Sequence, residues 1–230
     1  MKTLLDKEEL VSNPPQLGCV LSLPGLPGGG SKTYDRGPYG NIGAITGATW
    51  ARLPSGLWCL SFDGNDDYVN CGSDGSLRPS AVTFELWLKT HSLASTQFLN
   101  ALSVTGTGGY QLIYRDADHK LRWHIAESDS AWKFYVNTDD GIEVDKWYHV
   151  VALYESGRGE LYLNGDRQSD VSTATGDIYY DVAPLLLGTS HSYGFDFNGL
   201  IALVRTYNRA LSALEIQNHF NQEKYLFGAW

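Results

Sequence analysis

The sequence predicts an all-β protein built as two packed sheets, and three observations lead there. From Ile42 to Tyr207 almost every apolar run is short, about four to ten residues, and is closed by Gly, Asn, Asp or Pro, the pattern of strands joined by tight turns. Aromatic residues make up 13% of the 230 residues and glycine occurs 25 times, a mixture that suits pleated surfaces and sharp bends. The runs number about a dozen, more than one open sheet carries without curling or splitting. Strands do not alternate with helices, which argues against a parallel α/β sheet.

Taken in order, residues 1–16 (MKTLLDKEELVSNPPQ) form a charged N-terminal arm closed by Pro14 and Pro15. LGCVLSL (17–23) reads as a first strand, and LPGLPGGGSK (23–32) as a loop with too little apolar content to pack. Strands follow at IGAITGATW (42–50), LWCLSF (57–62), YVNCG (68–72), VTFELWLKT (82–90), QFLNALSV (97–104) and GYQLIYRD (109–116). The series continues with KLRWHIAE (120–127), WKFYVNT (132–138), WYHVVALYE (147–155), GELYLNGDR (159–167), PLLLGT (184–189) and FNGLIALVRTYN (197–208).

Alternation assigns the faces. In VTFELWLKT, Val82, Phe84, Leu86 and Leu88 share one side, while Thr83, Glu85, Trp87 and Lys89 share the other. Both faces of WYHVVALYE are substantially apolar, so this strand is expected to be central and covered twice. One short helix is expected near 212–222: Ser212 followed by Glu215 has the capping-box spacing, and Ala213, Ile216 and Phe220 repeat at helical intervals. An aromatic C-terminal tail, 221–230, containing KYLFGAW, is left beyond it.

Composition narrows the function. With 26 acidic and 17 basic residues the chain carries a formal charge of −9, which repels a phosphate backbone and argues against nucleic acid. No segment has the roughly 20 apolar residues of a membrane-spanning helix, and the N-terminus lacks the apolar run of a signal peptide. Cys19, Cys59 and Cys71 have no metal-ligand spacing and read as buried thiols. The six histidines show no H-x-H, H-E-x-x-H or Cys/His grouping, and GGGSK (28–32) lacks phosphate-loop spacing, so no cofactor is expected.

Several blocks together, LSFDGNDDYVNCG, VTFELWLKT, KWYHVVALYESGRGELYLNGDR and PLLLGTSHSYGFDFNGLIALVRTYNRALSALEI, stand in the order and at the spacing of laminin-G-like domains of the microbial and phage type. The resemblance spans residues 17–220. It implies a concanavalin-A-like jelly-roll sandwich of two curved antiparallel sheets, usually non-catalytic, often binding carbohydrate and often holding structural calcium. For FDGNDDYVNCG (62–72) the residues themselves give a polar corner, with Gly64 in the bend and Asp63 and Asn65 capping backbone amides. The resemblance adds Asp63 and Asp66 as calcium ligands. Relatives carry carboxylates in the last core strand, as in GLIDEVRIYNRAL. Here GLIALVRTYNRAL places Ala202 and Leu203 there, which removes hard oxygen ligands. Leu203 is instead expected to be covered by another chain or by the terminal arm.

Glycosidases of this sandwich deliver paired carboxylates from one strand as E-x-D-x-E. AESDSA (126–131) offers only Glu127 and Asp129, and IEVDKWY (142–148) offers Glu143 and Asp145 in a turn, so no enzyme activity is expected. Recognition remains. Tyr110, Tyr114, Trp132 and Tyr135 lie near strand ends, Arg122 and His124 alternate outward in KLRWHIAE, and His191 and Tyr193 sit in a neighbouring loop. These eight are the predicted ligand residues. The expected role is a non-enzymatic recognition and assembly module on the surface of a phage virion, as a capsid decoration or tail protein. Its expected partners are glycans or other subunits, in a homo-oligomer at the virion surface or otherwise extracellular. The alternatives are a lectin-like adhesion protein or an atypical glycosidase.

Overall fold

A computed structural model describes residues 17–25, 30–103, 108–126, 128, 131–173, 176–191 and 194–228; the arm at 1–16 lies outside them. Two antiparallel sheets form the body. The first runs β14 (Asp166–Thr173), β13 (Arg158–Leu163), β12 (Tyr148–Glu155), β7 (Val82–Thr90), β16 (Asn198–Tyr207), β5 (Trp58–Asp63) and β4 (Thr49–Arg52). β1 (Cys19–Leu23) also joins it, on the second half of β16. The second sheet runs β11 (Trp132–Asn137), β10 (Lys120–Ala126), β9 (Tyr110–Arg115), β8 (Gln97–Ala101), β15 (Leu186–Leu187), β6 (Tyr68–Asn70), β3 (Gly43–Thr46) and β2 (Lys32–Thr33).

Two stretches read as single strands are each two. IGAITGATW breaks at Gly47, whose φ of 72° lies in the left-handed region and whose missing Cβ leaves room for the Asp67 carboxylate. The break sends β3 to one sheet and β4 to the other. GELYLNGDR turns at Asn164 and Gly165, with φ of 54° and 84°, the two-residue hairpin that matches strand twist.

The faces follow the alternation. Phe84, Leu86 and Leu88 meet Tyr110, Leu112 and Trp123 between the sheets, where the Phe84 and Trp123 rings stack at 6.5 Å. Strand β12 is buried along nearly its whole length. Cys19, Cys59 and Cys71 are buried free thiols, and burial pushes Cys71 up to about 12, which keeps it unreactive.

The outer face of the first sheet is covered by helix α1 (Ala213–Phe227). Ser212 and Glu215 form the reciprocal capping box, and Gly228 closes the helix in the left-handed conformation at φ 66°. The helix therefore runs five residues past the predicted end at 222. Apolar burial is the reason: the Phe227 ring stacks on Trp87 at 4.1 Å and meets Trp147 at 4.7 Å. The tail residues 221–228 are thus part of the helix and its cap, while 229 and 230 lie outside the described residues. Leu203, expected beneath another chain or the terminal arm, is buried with Trp87 and Phe227 under this chain's own helix. It sits on a bulge in β16, with φ 49° and a register shift between Ala202 and Arg205.

Under the helix lies a polar network. Glu85 is fully buried; His149 Nε2 lies 2.8 Å, His219 Nδ1 2.9 Å and an Arg205 guanidinium nitrogen 3.3 Å from its Oε1. Glu223 of the helix accepts a hydrogen bond from Trp87 Nε1 at 2.8 Å and pairs with Arg205. Burial favours a neutral Glu85, but His219, Arg205 and His149 outweigh it and hold the carboxyl well below its ordinary 4.5. Burial likewise opposes a charged His219, and the Glu85 carboxylate overrides it, raising the imidazole above 6.5.

The lowered Glu85 contributes stability that is present above 4.5 and lost as pH falls through its folded value. The raised His219 contributes stability that is complete below 6.5 and lost as pH rises through its folded value. Thermal melts should therefore show a maximum between 4.5 and 6.5 and a decline on the alkaline side. His219→Gln should remove much of that alkaline slope and cost about 3 kcal/mol at pH 6, the scale for breaking a buried pair. A slope identical to that of the parent would show that other groups set it.

Candidate ligand-binding face

With the helix on the first sheet, the outer face of the second sheet is the one that no helix covers among the described residues. Strand pairing maps it, because directly opposed residues in an antiparallel ladder share a face. One row runs Asn137, Arg122, Ile113, Phe98 across β11, β10, β9 and β8. A second runs Ala101, Leu186, Asn70, Ala44 across β8, β15, β6 and β3. Phe98, Ala101 and Ile113 make a small apolar floor, and the Phe195 ring stacks on Phe98 at 6.1 Å.

Four of the eight predicted ligand residues come together at the β10–β11 hairpin. Tyr135 is 51% exposed. The Arg122 guanidinium lies over its ring at 4.1 Å, a cation–π contact. His124, opposite Tyr135 in the ladder, packs against Trp132 with ring centres 4.6 Å apart. Burial, with a smaller push from Arg115, pulls His124 down to about 4, so its ring is neutral at pH 7. Neither His124 nitrogen has a hydrogen-bond partner among the described residues.

The other four do not join them. Tyr110 and Tyr114 are near strand ends, as predicted, yet both are buried. They alternate with Gln111 and Ile113 and so point between the sheets. The Tyr110 hydroxyl donates to Leu77 O at 3.2 Å, and the Tyr114 hydroxyl to Leu93 O at 3.1 Å. These two assignments are corrected to core residues. His191 is exposed and lines a separate hollow of about 390 Å³ with Asn65, Asp66, Tyr68, Asn70 and Asp196. Three strand spacings, about 14 Å, separate β15 beside that hollow from β10. Tyr193 lies outside the described residues, as do Glu127 and Asp129. Glu143 pairs with Lys146 at 3.0 Å and Asp145 with His91 at 2.6 Å.

Two residues missed in the sequence complete the hairpin cluster. Asn137 Oδ1 accepts from Arg122 Nε at 2.7 Å. The Asn137 backbone N–H and side-chain amide both donate to Asp170 Oδ2, at 2.9 and 2.8 Å. Asn137 is readable only as an outward residue opposite Arg122 once the hairpin register is known. Asp170 sits in the unpredicted second half of β14.

Two groups of acidic or metal-ligating side chains lie close enough together to share a cation. Carboxylate oxygens of Asp63, Asp66 and Asp67 lie within 4.8 Å of one another. Asp63 Oδ1 caps the Asn65 amide at 2.9 Å, and Asp67 Oδ2 accepts the Asp63 amide at 2.8 Å. Asp67 is 6% exposed, abuts the Gly47 backbone, and burial raises its carboxyl. Such a turn does not furnish the six to eight accessible oxygens that calcium takes. In the buried group of Glu85, His149 and Glu223, Arg205 already supplies the positive charge.

A two-sheet jelly roll with one helix-covered face and one face bearing aromatic and cationic side chains defines a concanavalin-A-like fold. A laminin-G-type family model, described as the concanavalin A-like lectin/glucanases superfamily, matches residues 63–217, more than half of the chain, and the chain belongs to that family. No curated protein matches in sequence.

Among solved structures, the binding domain of Paraclostridial mosquitocidal protein 1 is similar at TM-score 0.75 and 16% identity, over 92% of this chain and 55% of that one. A Trypanosoma rangeli sialidase in complex with 2,3-difluorosialic acid is similar at 0.71 and 18%, over 96% of this chain and 37% of that one. Domain 4 of AbnA, an extracellular GH43 arabinanase from Geobacillus stearothermophilus, in complex with arabinotriose, is similar at 0.62 and 20%, over 76% and 86%. The chain thus spans little more than half of the first of these and just over a third of the second.

If the Asp63 corner is a turn rather than a calcium site, melting midpoints in millimolar calcium and in chelator should agree within a few degrees, since saturable binding to the native state would raise the calcium value. A rise of ten degrees would restore Asp63 and Asp66 as ligands.

Proposed function

We infer that this protein is a non-enzymatic carbohydrate-recognition module that uses the uncovered face of its second sheet. The observation that carries the reading is the hairpin cluster of Trp132, His124, Tyr135 and Arg122. Flat ring faces beside planar polar groups suit the alternating apolar and hydroxyl faces of a sugar. Strands hold these side chains, so little ordering entropy is lost on binding. The arabinotriose complex of the arabinanase domain and the sialic-acid-analogue complex of the sialidase add that sandwiches of this shape occur in proteins that engage sugars.

No observation among the described residues favours the virion-surface placement or the homo-oligomer. The aromatic C-terminal segment does not present its Phe227 ring to a neighbour, because that ring is buried on its own domain. No helix among the described residues is long and apolar enough to cross a membrane. The module meets glycans at a cell or particle surface.

Glycan-array screening followed by calorimetry should find binding to at least one oligosaccharide class, with no release of reducing sugar. Trp132→Ala and Tyr135→Ala should each weaken that binding several-fold, in line with about 1 kcal/mol for a lost ring contact, without lowering the melting midpoint substantially. Undiminished binding in both variants would move the site elsewhere, first to the hollow beside His191.

A further inference from the structure

Resting on the glycan reading, we propose that the hairpin site selects saccharides bearing a carboxylate, through a bidentate contact with Arg122. The side chain is committed at one end only. Its Nε donates to Asn137 Oδ1, and its plane lies over Tyr135. The two terminal nitrogens have no hydrogen-bond or ion-pair partner among the described residues. Those nitrogens form the fork whose geometry matches a carboxylate.

The orientation is fixed from behind. Asp170 Oδ2 accepts from both the backbone and side-chain N–H groups of Asn137. An acceptor there requires the amide nitrogen of Asn137 to face Asp170, which turns Oδ1 toward Arg122. The relay therefore positions Arg122 without placing a carboxylate directly on it.

The surrounding field agrees. In a chain of formal charge −9, Arg115, Lys120 and Arg122 project from the same side of β9 and β10, since Arg115 opposes Lys120 and Lys120 alternates with Arg122. Arg115 is answered by Asp118 at 3.6 Å and Lys120 by the Asp139 backbone carbonyl at 2.7 Å. Of the three, Arg122 is the one that lies over a tyrosine ring, and among the described residues its printed acceptor is an amide oxygen and not a carboxylate. Next to it, Trp132 and Tyr135 offer ring faces for the apolar side of the sugar, so an anionic saccharide matches the patch better than an inorganic anion.

The test uses the full chain and two ligand pairs, measured by calorimetry. The first pair is an oligogalacturonate and the same oligomer with its carboxylates reduced to alcohols; the second is sialyllactose and lactose. Together they separate uronate from sialate sources of the carboxylate. At least one acidic ligand should bind ten-fold or more tightly than its neutral counterpart, and added salt should weaken it. Arg122→Gln should abolish that preference, bringing the acidic ligand to the affinity of its neutral counterpart in the same variant. Arg122→Lys, which keeps the charge and loses the fork, should recover only part of it, and Asn137→Ala should weaken the acidic ligand more than the neutral one. These last two keep the test valid if Arg122→Gln folds poorly. Equal binding of acidic and reduced ligands, or an unchanged preference in the Arg122 variants, would overturn the carboxylate inference and leave the glycan reading standing. Failure of every saccharide would remove both. Tighter binding of inorganic phosphate or an oligonucleotide than of any saccharide would overturn the proposal in favour of a phosphate site.

Discussion

Taking a carboxylate wholly out of water costs several kcal/mol unless other charges and donors answer it, and Glu85 meets that requirement only when the C-terminal helix is docked. His149 comes from the neighbouring strand and Arg205 from the last core strand, but His219 and Glu223 come from the helix. The network therefore fixes where the helix lies and which sheet it covers. Around it, Trp87 donates to Glu223 and stacks with Phe227 and Phe220, so apolar burial and charge pairing act at one place. A polar network of this kind specifies a geometry more than it adds stability. Its specificity consists in giving the sandwich one covered face and one uncovered face.

That asymmetry sets the two outer faces apart. Both sheets have apolar inner faces that must meet, and a long aromatic-rich strand such as β7 also carries large side chains outward. On the first sheet those side chains are enclosed by the helix. On the second sheet the outward residues are a different set: a buried apolar cluster of Phe98, Ala101 and Ile113, with Arg122, His124, Trp132 and Tyr135 at one end and the hollow near His191 at the other.

Much of the fold was legible because the pleat has period two. Val82, Phe84, Leu86 and Leu88 could be assigned inward from VTFELWLKT alone, and the Ser212/Glu215 box marked the helix start. The misreadings have local causes. Gly47 turns the chain inside a run of small and apolar residues, so pattern alone joins two strands there, whereas the Asn164–Gly165 pair is a hairpin signal that reading GELYLNGDR as one strand passes over. The helix end was misplaced because Phe227 is held by Trp87 and Trp147, residues about 80 or more positions away in the sequence. At the site, position near a strand end proved a weaker guide than alternation. Tyr110 and Tyr114 share parity with Leu112 and are core, whereas Arg122 and His124 were chosen by alternation and do face outward. Asn137 and Asp170 could not be recognised as a pair without the meeting of two sheets.

That meeting links the two halves of the molecule. At the edge, β11 of the second sheet runs beside β14 of the helix-covered sheet, and side chains close the gap. Asp170 takes the Asn137 amide, Gln168 Oε1 takes the Asp139 amide at 2.9 Å, and Asp139 takes the Ser169 amide. Unpaired edge donors would otherwise invite another strand. The same bonds that close the edge also turn Asn137 toward Arg122, so the guanidinium is oriented by a strand of the opposite sheet. A binding group held in this way needs little rearrangement to meet a ligand, because its rotamer is fixed by contacts that the fold already requires.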